Sequence, residues 1–309
     1  MHMLESERQI RSFLSKRETM DPESDDYIRI QEKIDDLMRK TYTNLTPYER
    51  VMMDRAIERP KSQAYIQSLF TDFKEFHGDR YYGDDAAIIG GIGWFEDLAV
   101  TVLAQAKGRN TSENVRRNFG MVSPEGYRKV LRLAKQAEKF HRPIIQLVDT
   151  SGAYPGKGAE ERGQAQAIAQ CLYTFSDLRT PIITIVISEG GSGGALAMSV
   201  ADSIYMLENA VYSILSPEGF ASILWKDGSR VEEAAQAMKM TSNDLQKKGI
   251  VDVIIREPLG GAQKLFPVVI DQIKTQLDVD LKRLVKQRPA RLVHRRQIKY
   301  RKLGAISWK

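Results

Sequence analysis

An α/β domain with largely parallel strand pairing is the fold class this sequence predicts. Short β-branched runs alternate with helical patterns through the middle of the chain, which is how parallel strands and their crossover helices read. Two glycine-rich turns, after Val148 and after Ile187, follow such runs directly. In α/β folds ligands gather at the carboxyl ends of strands, so both turns are expected to face one pocket.

With 309 residues, 42% of them hydrophobic and 28% charged, the chain can form one large domain or two small ones around a sizeable core. No apolar run is long enough to cross a membrane, and residues 1–8 carry no apolar stretch of a secretory signal. Cys171 is the single cysteine, which leaves no internal disulfide and no Cys cluster for zinc. No protein-bound metal is expected, and a reduced, cytoplasmic compartment fits. The formal charge of +6 is uneven: residues 282–309 hold eleven Lys and Arg and no acid, and removing those eleven leaves −5 on the rest. Nucleic acid is therefore a candidate partner for the basic end alone.

Residues 1–58 read as a charged helical extension. Ile28, Ile30, Ile34, Leu37 and Met38 recur at roughly helical spacing after a start signal at Asp21 and Pro22. Thr46, Pro47 and Glu49 form a capping box with proline at the first helical position. A helix with one aromatic face, including Tyr65, Phe70, Phe73 and Phe76, is expected over 61–82. Segments 87–95 and 98–106 predict a β-hairpin turning at Glu96 and Asp97. Gly90, Gly91 and Gly93 inside its first arm mark close backbone approach. A basic loop with Lys107, Arg109, Arg116 and Arg117 follows.

Ser123-Pro124-Glu125-Gly126 then caps a helix over 127–140, before a strand over 144–148 and a helix over 160–177. Strands at 203–207 and 211–215 lead to a second Ser-Pro-Glu-Gly cap at 216–219. The echo is either capping chemistry used twice or a repeated strand–strand–helix unit. Helices over 231–240 and 241–248, a strand over 250–255 and a helix running into the basic end at 281–309 complete the chain. The body of the protein is expected over 59–280.

Between the strand at 182–187 and a small-residue helix over 195–200 lies Gly190-Gly191-Ser192-Gly193-Gly194. A strand, a glycine turn and a helix N-terminus gather unpaired backbone N–H groups in one concavity. Such a cradle holds a phosphate, a carboxylate or a developing oxyanion. G-x-S-x-G is also the nucleophile elbow of α/β-hydrolases, with Ser192 as nucleophile. The usual hydrolase order needs a histidine after the serine, and only His294 follows, inside the arginine-rich end; His77 and His141 precede it. Neither P-loop nor G-x-G-x-x-G spacing is present. What remains is a donor-rich turn that polarises an oxygen and leaves bond-making to substrate or cofactor.

Five motifs in order make the reading specific: RRNFGM at 116–121, DTSGAYPG at 149–156, GAEERGQ at 158–164, SEGGSGGALA at 188–197 and SPEG at 216–219. Over about residues 25–275 the sequence resembles the α subunits of acetyl-CoA carboxylase carboxyltransferase. The resemblance implies a crotonase-like (ClpP/crotonase) fold of repeated β-β-α units behind the helical extension. It implies an enzyme subunit, inactive alone, that transfers the carboxyl group of carboxybiotin to acetyl-CoA and gives malonyl-CoA, the first committed step of fatty acid biosynthesis. Its partner would be a β subunit bearing a zinc ribbon and most acetyl-CoA contacts, in an α2β2 heterotetramer. Biotin would arrive on a separate biotin carboxyl carrier protein, charged by an ATP-dependent biotin carboxylase.

The same resemblance assigns Gly193 and Gly194, with Ala195 as a further donor, to the oxyanion hole for the carboxybiotin ureido oxygen. It puts Gly152, Ala153, Tyr154, Gly190, Gly191 and Ser192 around the biotin. Lys107, Arg109, Arg116 and Arg117 are candidates for CoA phosphates or an acidic partner surface. The resemblance stops before the arginine-rich segment 288–302, which is open as a disordered tail, an interface element or a nucleic-acid contact. The last would make a regulatory, non-catalytic subunit the alternative function.

Overall fold

The computed structural model describes residues 2–304. Its centre is a single sheet of β1 (Thr71–Glu75), β2 (Ile88–Phe95), β3 (Leu98–Gln105), β4 (Ile144–Thr150), β5 (Ile182–Gly191), β6 (Ser203–Leu207), β7 (Tyr212–Ser213) and β8 (Val253–Ile255). The strand order is β1-β2-β3-β4-β5-β6-β8, with β7 paired to the last residues of β5. The first three strands are antiparallel and every later pair is parallel. All residues of β4 and β6 are buried, which explains their unbroken apolar character, since parallel strands are covered on both faces.

The predicted hairpin forms as read, with Phe95 opposite Leu98. Helices Pro124–Lys139 and Gln164–Asp177 pack on one another, and the first also covers β2 and β3. Helix Ser62–Leu69 meets helix Phe266–Leu284 through Tyr65 edge-on to Phe266, with ring centroids 4.9 Å apart.

Several elements differ from the sequence expectation. The aromatic helix expected over 61–82 ends at Leu69, and the chain continues as β1. The glycines of β2 explain this: a Cβ at Gly91 would stand 2.2 Å from the Lys74 carbonyl oxygen, so the bare strand draws the neighbouring backbone onto itself. The second helix begins at Asp25 with Ser24 as its cap, not at Pro22. The helix expected over 160–177 is broken at Gly163, φ +83°, into Lys157–Glu161 and Gln164–Asp177. The helix after the central turn is Ser192–Leu196 rather than 195–200, because β5 runs on to Gly191 where β7 supplies a partner.

The Ser-Pro-Glu-Gly echo is only partly a repeat. Ser216 Oγ accepts from Gly219 N–H, whereas the Ser123 side chain makes no cap bond. In the second unit β7 pairs with β5 and not with β6.

The helix expected to run into the basic end stops at Leu284, and Pro289–Lys302 forms a helix of its own, as the Arg288-Pro289 step requires. That helix is docked. Arg296, 1% exposed, donates to the carbonyls of Phe175, Leu178 and Thr180 and to both oxygens of Asp202. Near the other end of the chain the Thr46 capping box forms reciprocally with Glu49. Helix Pro47–Asp54 is tied to the body by Arg50, which donates to the Glu208 carbonyl and the Asn209 side chain.

Candidate active site

The site is built where β4 and β5 part. Their register runs evenly to Val148 opposite Val186 and resumes at Thr150 opposite Gly190. Ile187, Ser188 and Glu189 of β5 therefore face Asp149 alone, a bulge that bends the strand into the glycine turn. Side chains satisfy what the ladder leaves open. Arg59 Nε and Nη2 donate to the Ile187 carbonyl at 3.2 and 2.9 Å, and Ser188 Oγ donates to the Asp54 carbonyl at 3.1 Å. Arg59 is buried and held in turn by a two-pronged pair with Glu257, at 2.7 and 2.8 Å.

Beyond the bulge Ser192 turns the chain with φ +56° into the short helix Ser192–Leu196. The N–H groups of a first helical turn have no intrahelical acceptor. Gly194 is buried, and a Cβ there would lie 2.5 Å from both Ala153 N and the Gly152 carbonyl carbon. The helix start thus rests directly on the backbone of the loop after β4. Gly194 is required by this contact rather than by its backbone angles, since its φ is not positive. Buried Gln105 fixes the same point from below, donating to the Gly194 carbonyl at 2.8 Å.

The loop after β4 is itself pinned. Thr150 Oγ1 lies 2.6 Å from the Gly120 carbonyl oxygen and accepts from Gly152 N–H at 3.1 Å. Tyr154 N–H donates to the Val122 carbonyl, and Gln164 donates to the Tyr154 carbonyl. Gly152, Ala153 and Tyr154 are thereby brought beside Gly191 to Ala195. A cavity of about 450 Å³ opens next to the turn, lined by Ser192, Gly193, Leu196, Tyr212, Ile214 and Leu245 among others.

The four basic-loop residues do not form one face. Lys107 points inward, with Nζ 2.8 Å from Glu189 Oε2 and 3.2 Å from Asp149 Oδ1. Arg117 is buried and donates to the Ala86 carbonyl, and burial lowers its guanidinium pKa. Arg109 is spent on Glu113, and only Arg116 is exposed without an ion-pair partner among the described residues. Sequence reasoning missed Glu189, Arg59, Glu257 and Asp54 as members of one buried charge cluster. Asp54 and Arg59 are near neighbours in sequence, but Glu189 and Glu257 lie more than a hundred residues away, and no local pattern joins the set. Burial pushes the Asp54 carboxyl up to about 7, against the pull of Arg59 and Lys107 and with help from Glu189 and Asp149.

Ser192 is exposed and makes no hydrogen bond to a histidine. His77 is held by Asp84 at 2.9 Å, His141 lies just past helix Pro124–Lys139, and His294 lies on helix Pro289–Lys302. Among the described residues a hydrolase triad is not assembled.

A family model described as acetyl co-enzyme A carboxylase carboxyltransferase-like matches residues 2–304. The chain belongs to this family. Among its relatives is the acetyl-coenzyme A carboxylase carboxyl transferase subunit alpha of Clostridium botulinum (strain Eklund 17B / Type B). It is 57% identical over 261 residues, covering 84% of this chain and 95% of the relative. A Natranaerobius thermophilus protein named for the beta and alpha subunits together is 55% identical over 267 residues, covering 86% of this chain and 44% of that one. Among solved structures, transcarboxylase 12S aligns with a TM-score of 0.59 at 20% identity, over 76% of this chain and 45% of that chain. The likeness gives this carboxyltransferase-family chain the crotonase-like fold. No described helix is long and apolar enough to cross a membrane.

Proposed function

We propose that this chain is the α subunit of an acetyl-CoA carboxylase carboxyltransferase. With a β subunit it moves the carboxyl group of carboxybiotin to acetyl-CoA, giving malonyl-CoA for fatty acid biosynthesis. One observation carries the reading. In a chain of this family, the open first helical turn is seated through Gly194 on the Gly152–Ala153 backbone, and Gly193 lines a largely apolar cavity of about 450 Å³. Apolar walls with backbone donors at one edge suit a biotin ring and its ureido oxygen.

When bound, carboxybiotin supplies the carboxyl group and an oxygen on which negative charge grows. The N–H groups of Gly193 and Gly194, with Ala195 as a further donor, stabilise that charge. Because the Gly152–Ala153 backbone and Gln105 hold them in place, they need no reorganisation as the charge develops. Gly190, Gly191 and Ser192 aim the donors, while the loop Gly152 to Tyr154 backs the turn at Gly194. Leu196 and Ile214 give the cavity apolar walls. Arg116, exposed at the rim of the basic loop, is available to a CoA phosphate or an acidic partner surface.

The β subunit carries a zinc ribbon and most acetyl-CoA contacts, in an α2β2 assembly working in the cytoplasm. A biotin carboxyl carrier protein and a biotin carboxylase deliver the charged biotin. In this reading residues 1–58 are a helical extension, 59–280 the carboxyltransferase body and 281–309 a basic end. The test is malonyl-CoA formation from acetyl-CoA and carboxylated carrier, with each subunit alone and with both. Activity that needs both chains supports the reading, and a stable complex without activity sinks it.

A further inference from the structure

We propose that Lys107 is a positioning residue, whose ammonium ties together the ends of β3, β4 and β5 and so sets where the Gly193–Gly194 donors stand. The inference rests on the carboxyltransferase reading for its kinetic consequence, though not for its geometry. It departs from a role for Lys107 at a phosphate, because the side chain faces two carboxylates of its own chain.

The bulge supplies the reason. Between Val148 and Thr150 the two parallel strands lose their regular ladder, and Asp149 and Glu189 are the side chains standing at the gap. Each leads directly into one of the two loops that meet at Gly194. Left alone, two carboxylates in a poorly hydrated site repel and push the loops apart. Lys107 Nζ, 2.8 Å from Glu189 and 3.2 Å from Asp149, turns that repulsion into a clamp. Neither Asp149 oxygen has a hydrogen-bond partner of good geometry, so the lysine is the group that compensates this buried charge.

Lys107 is itself held by its own strand end and by the neighbouring loop. It follows β3 by two residues, and Gln105 at the strand end already donates to the Gly194 carbonyl, so one short segment reaches the turn twice. The RRNFGM motif closes over its stem: Asn118, Phe119 and Gly120 are all left-handed, with φ of +47°, +56° and +79°. A Cβ at Gly120 would stand 2.7 Å from Lys107 Cγ and 3.2 Å from the Asp149 carbonyl oxygen. Three successive left-handed residues are costly to hold, and here they let the backbone lie flat on the lysine and on β4 at once. The side chain is 18% exposed, toward a cavity of about 480 Å³ that Asp54, Lys61 and Ser151 also line. Burial works against its charge, but Asp149, Glu189 and Asp54 outweigh that and hold it protonated above the ordinary lysine range.

The experiment uses the full chain assembled with its β partner. K107M keeps the stem and removes the charge; E189Q keeps an acceptor and removes one arm of the clamp. Misplacing a catalytic donor by about 1 Å costs on the order of 100-fold in rate. K107M is therefore expected to lose about 100-fold in kcat with little change in KM for acetyl-CoA. The K107M/E189Q double variant should fall no further than K107M. Amide exchange at 151–154 and 192–195 should quicken at least roughly tenfold in K107M, with the core strands unchanged. Wild-type kcat with unchanged exchange overturns the proposal, as does a raised KM for acetyl-CoA at constant kcat. If K107M does not fold, E189Q decides by the same two measurements. If the wild-type complex makes no malonyl-CoA, the functional reading fails while exchange at 151–154 still judges the clamp.

Discussion

Gly194 and Ser192 sit two residues apart in one turn, yet substitution should affect them in opposite ways. A methyl group at Gly194 has no room, because the backbone of Gly152 and Ala153 is 2.5 Å from where it would go. Gly194→Ala should move the helix start away from the loop and misplace its N–H donors. A loss of one donor costs about 2.7–4 kcal/mol, so malonyl-CoA formation should fall by about 100-fold or more. Co-elution with the β subunit should survive, and full activity in this variant would remove Gly194 from the site. Ser192, by contrast, is exposed with its side chain unused. Ser192→Ala should keep kcat within about threefold and the wild-type chain should resist a fluorophosphonate, the reverse of what a nucleophile at this elbow would do.

Asp54 adds a pH signature at the same scale. Burial raises its carboxyl from the ordinary 3.8 to about 7 in the folded chain, with Arg59, Lys107, Asp149 and Glu189 facing it. Folded protein then binds a proton that the unfolded chain gives up between those two values, so this group's contribution to stability falls as pH rises from about 4 to about 7. Asp54→Asn removes the cost, and the variant should gain on wild type by up to about 4 kcal/mol at pH 8 while matching it near pH 4. Thermal denaturation of both proteins across that range checks the sign. A difference that grows toward acid would contradict it.

Among the elements, what could be read in advance is what local chemistry dictates. The hairpin at Glu96 and Asp97, the Thr46 capping box and the strand at Ile182 follow from turn residues, caps and β-branched runs. β1 could not be read, because Phe70, Phe73 and Phe76 continue a helical period and only the bare face of Gly91 in another strand pulls them into the sheet. At the site, the glycines were legible and the charges were not. Glycine spacing is local, whereas Lys107, Asp149 and Glu189 meet only because three strand ends converge. The basic end shows the same limit, since eleven cations without an acid leave a disordered tail, an interface element and a nucleic-acid contact equally open, while one of them, Arg296, is a buried anchor. Arg296→Ala strands the Asp202 carboxylate and three carbonyls. Breaking a buried pair from one side costs about 3–5 kcal/mol, so the melting temperature should fall by several degrees. An unchanged melting temperature would mean the helix is only loosely docked. Deleting 282–309 should likewise destabilise the body, so loss of nucleic-acid binding in that deletion would not by itself identify a binding tail.

Viewed as a whole, the molecule leaves its proposed site open on one side. Leu196 and Ile214 line the cavity yet are 41% and 75% exposed, and Ile223 and Leu224 on the next helix, Pro217–Trp225, are 68% and 60% exposed. Large aliphatic side chains in that density are costly to leave in water. A partner covering this rim would also shut water out of the cavity, which strengthens the donors at Gly193 and Gly194. The proposed β subunit is the expected occupant, since relatives are named as subunits and the Natranaerobius thermophilus protein is named for beta and alpha together. Ile223 and Leu224 lie outside the cavity lining, so I223D and L224D should weaken association without touching the turn. Central interface residues cost about 2 kcal/mol or more on truncation. Each variant should therefore raise the Kd for the β subunit by about 30-fold, with the melting temperature of the free chain unchanged. Saturating β should restore kcat. Unaltered affinity in both variants would move the partner to another face, and restored binding without restored kcat would make this helix part of the catalytic machinery instead.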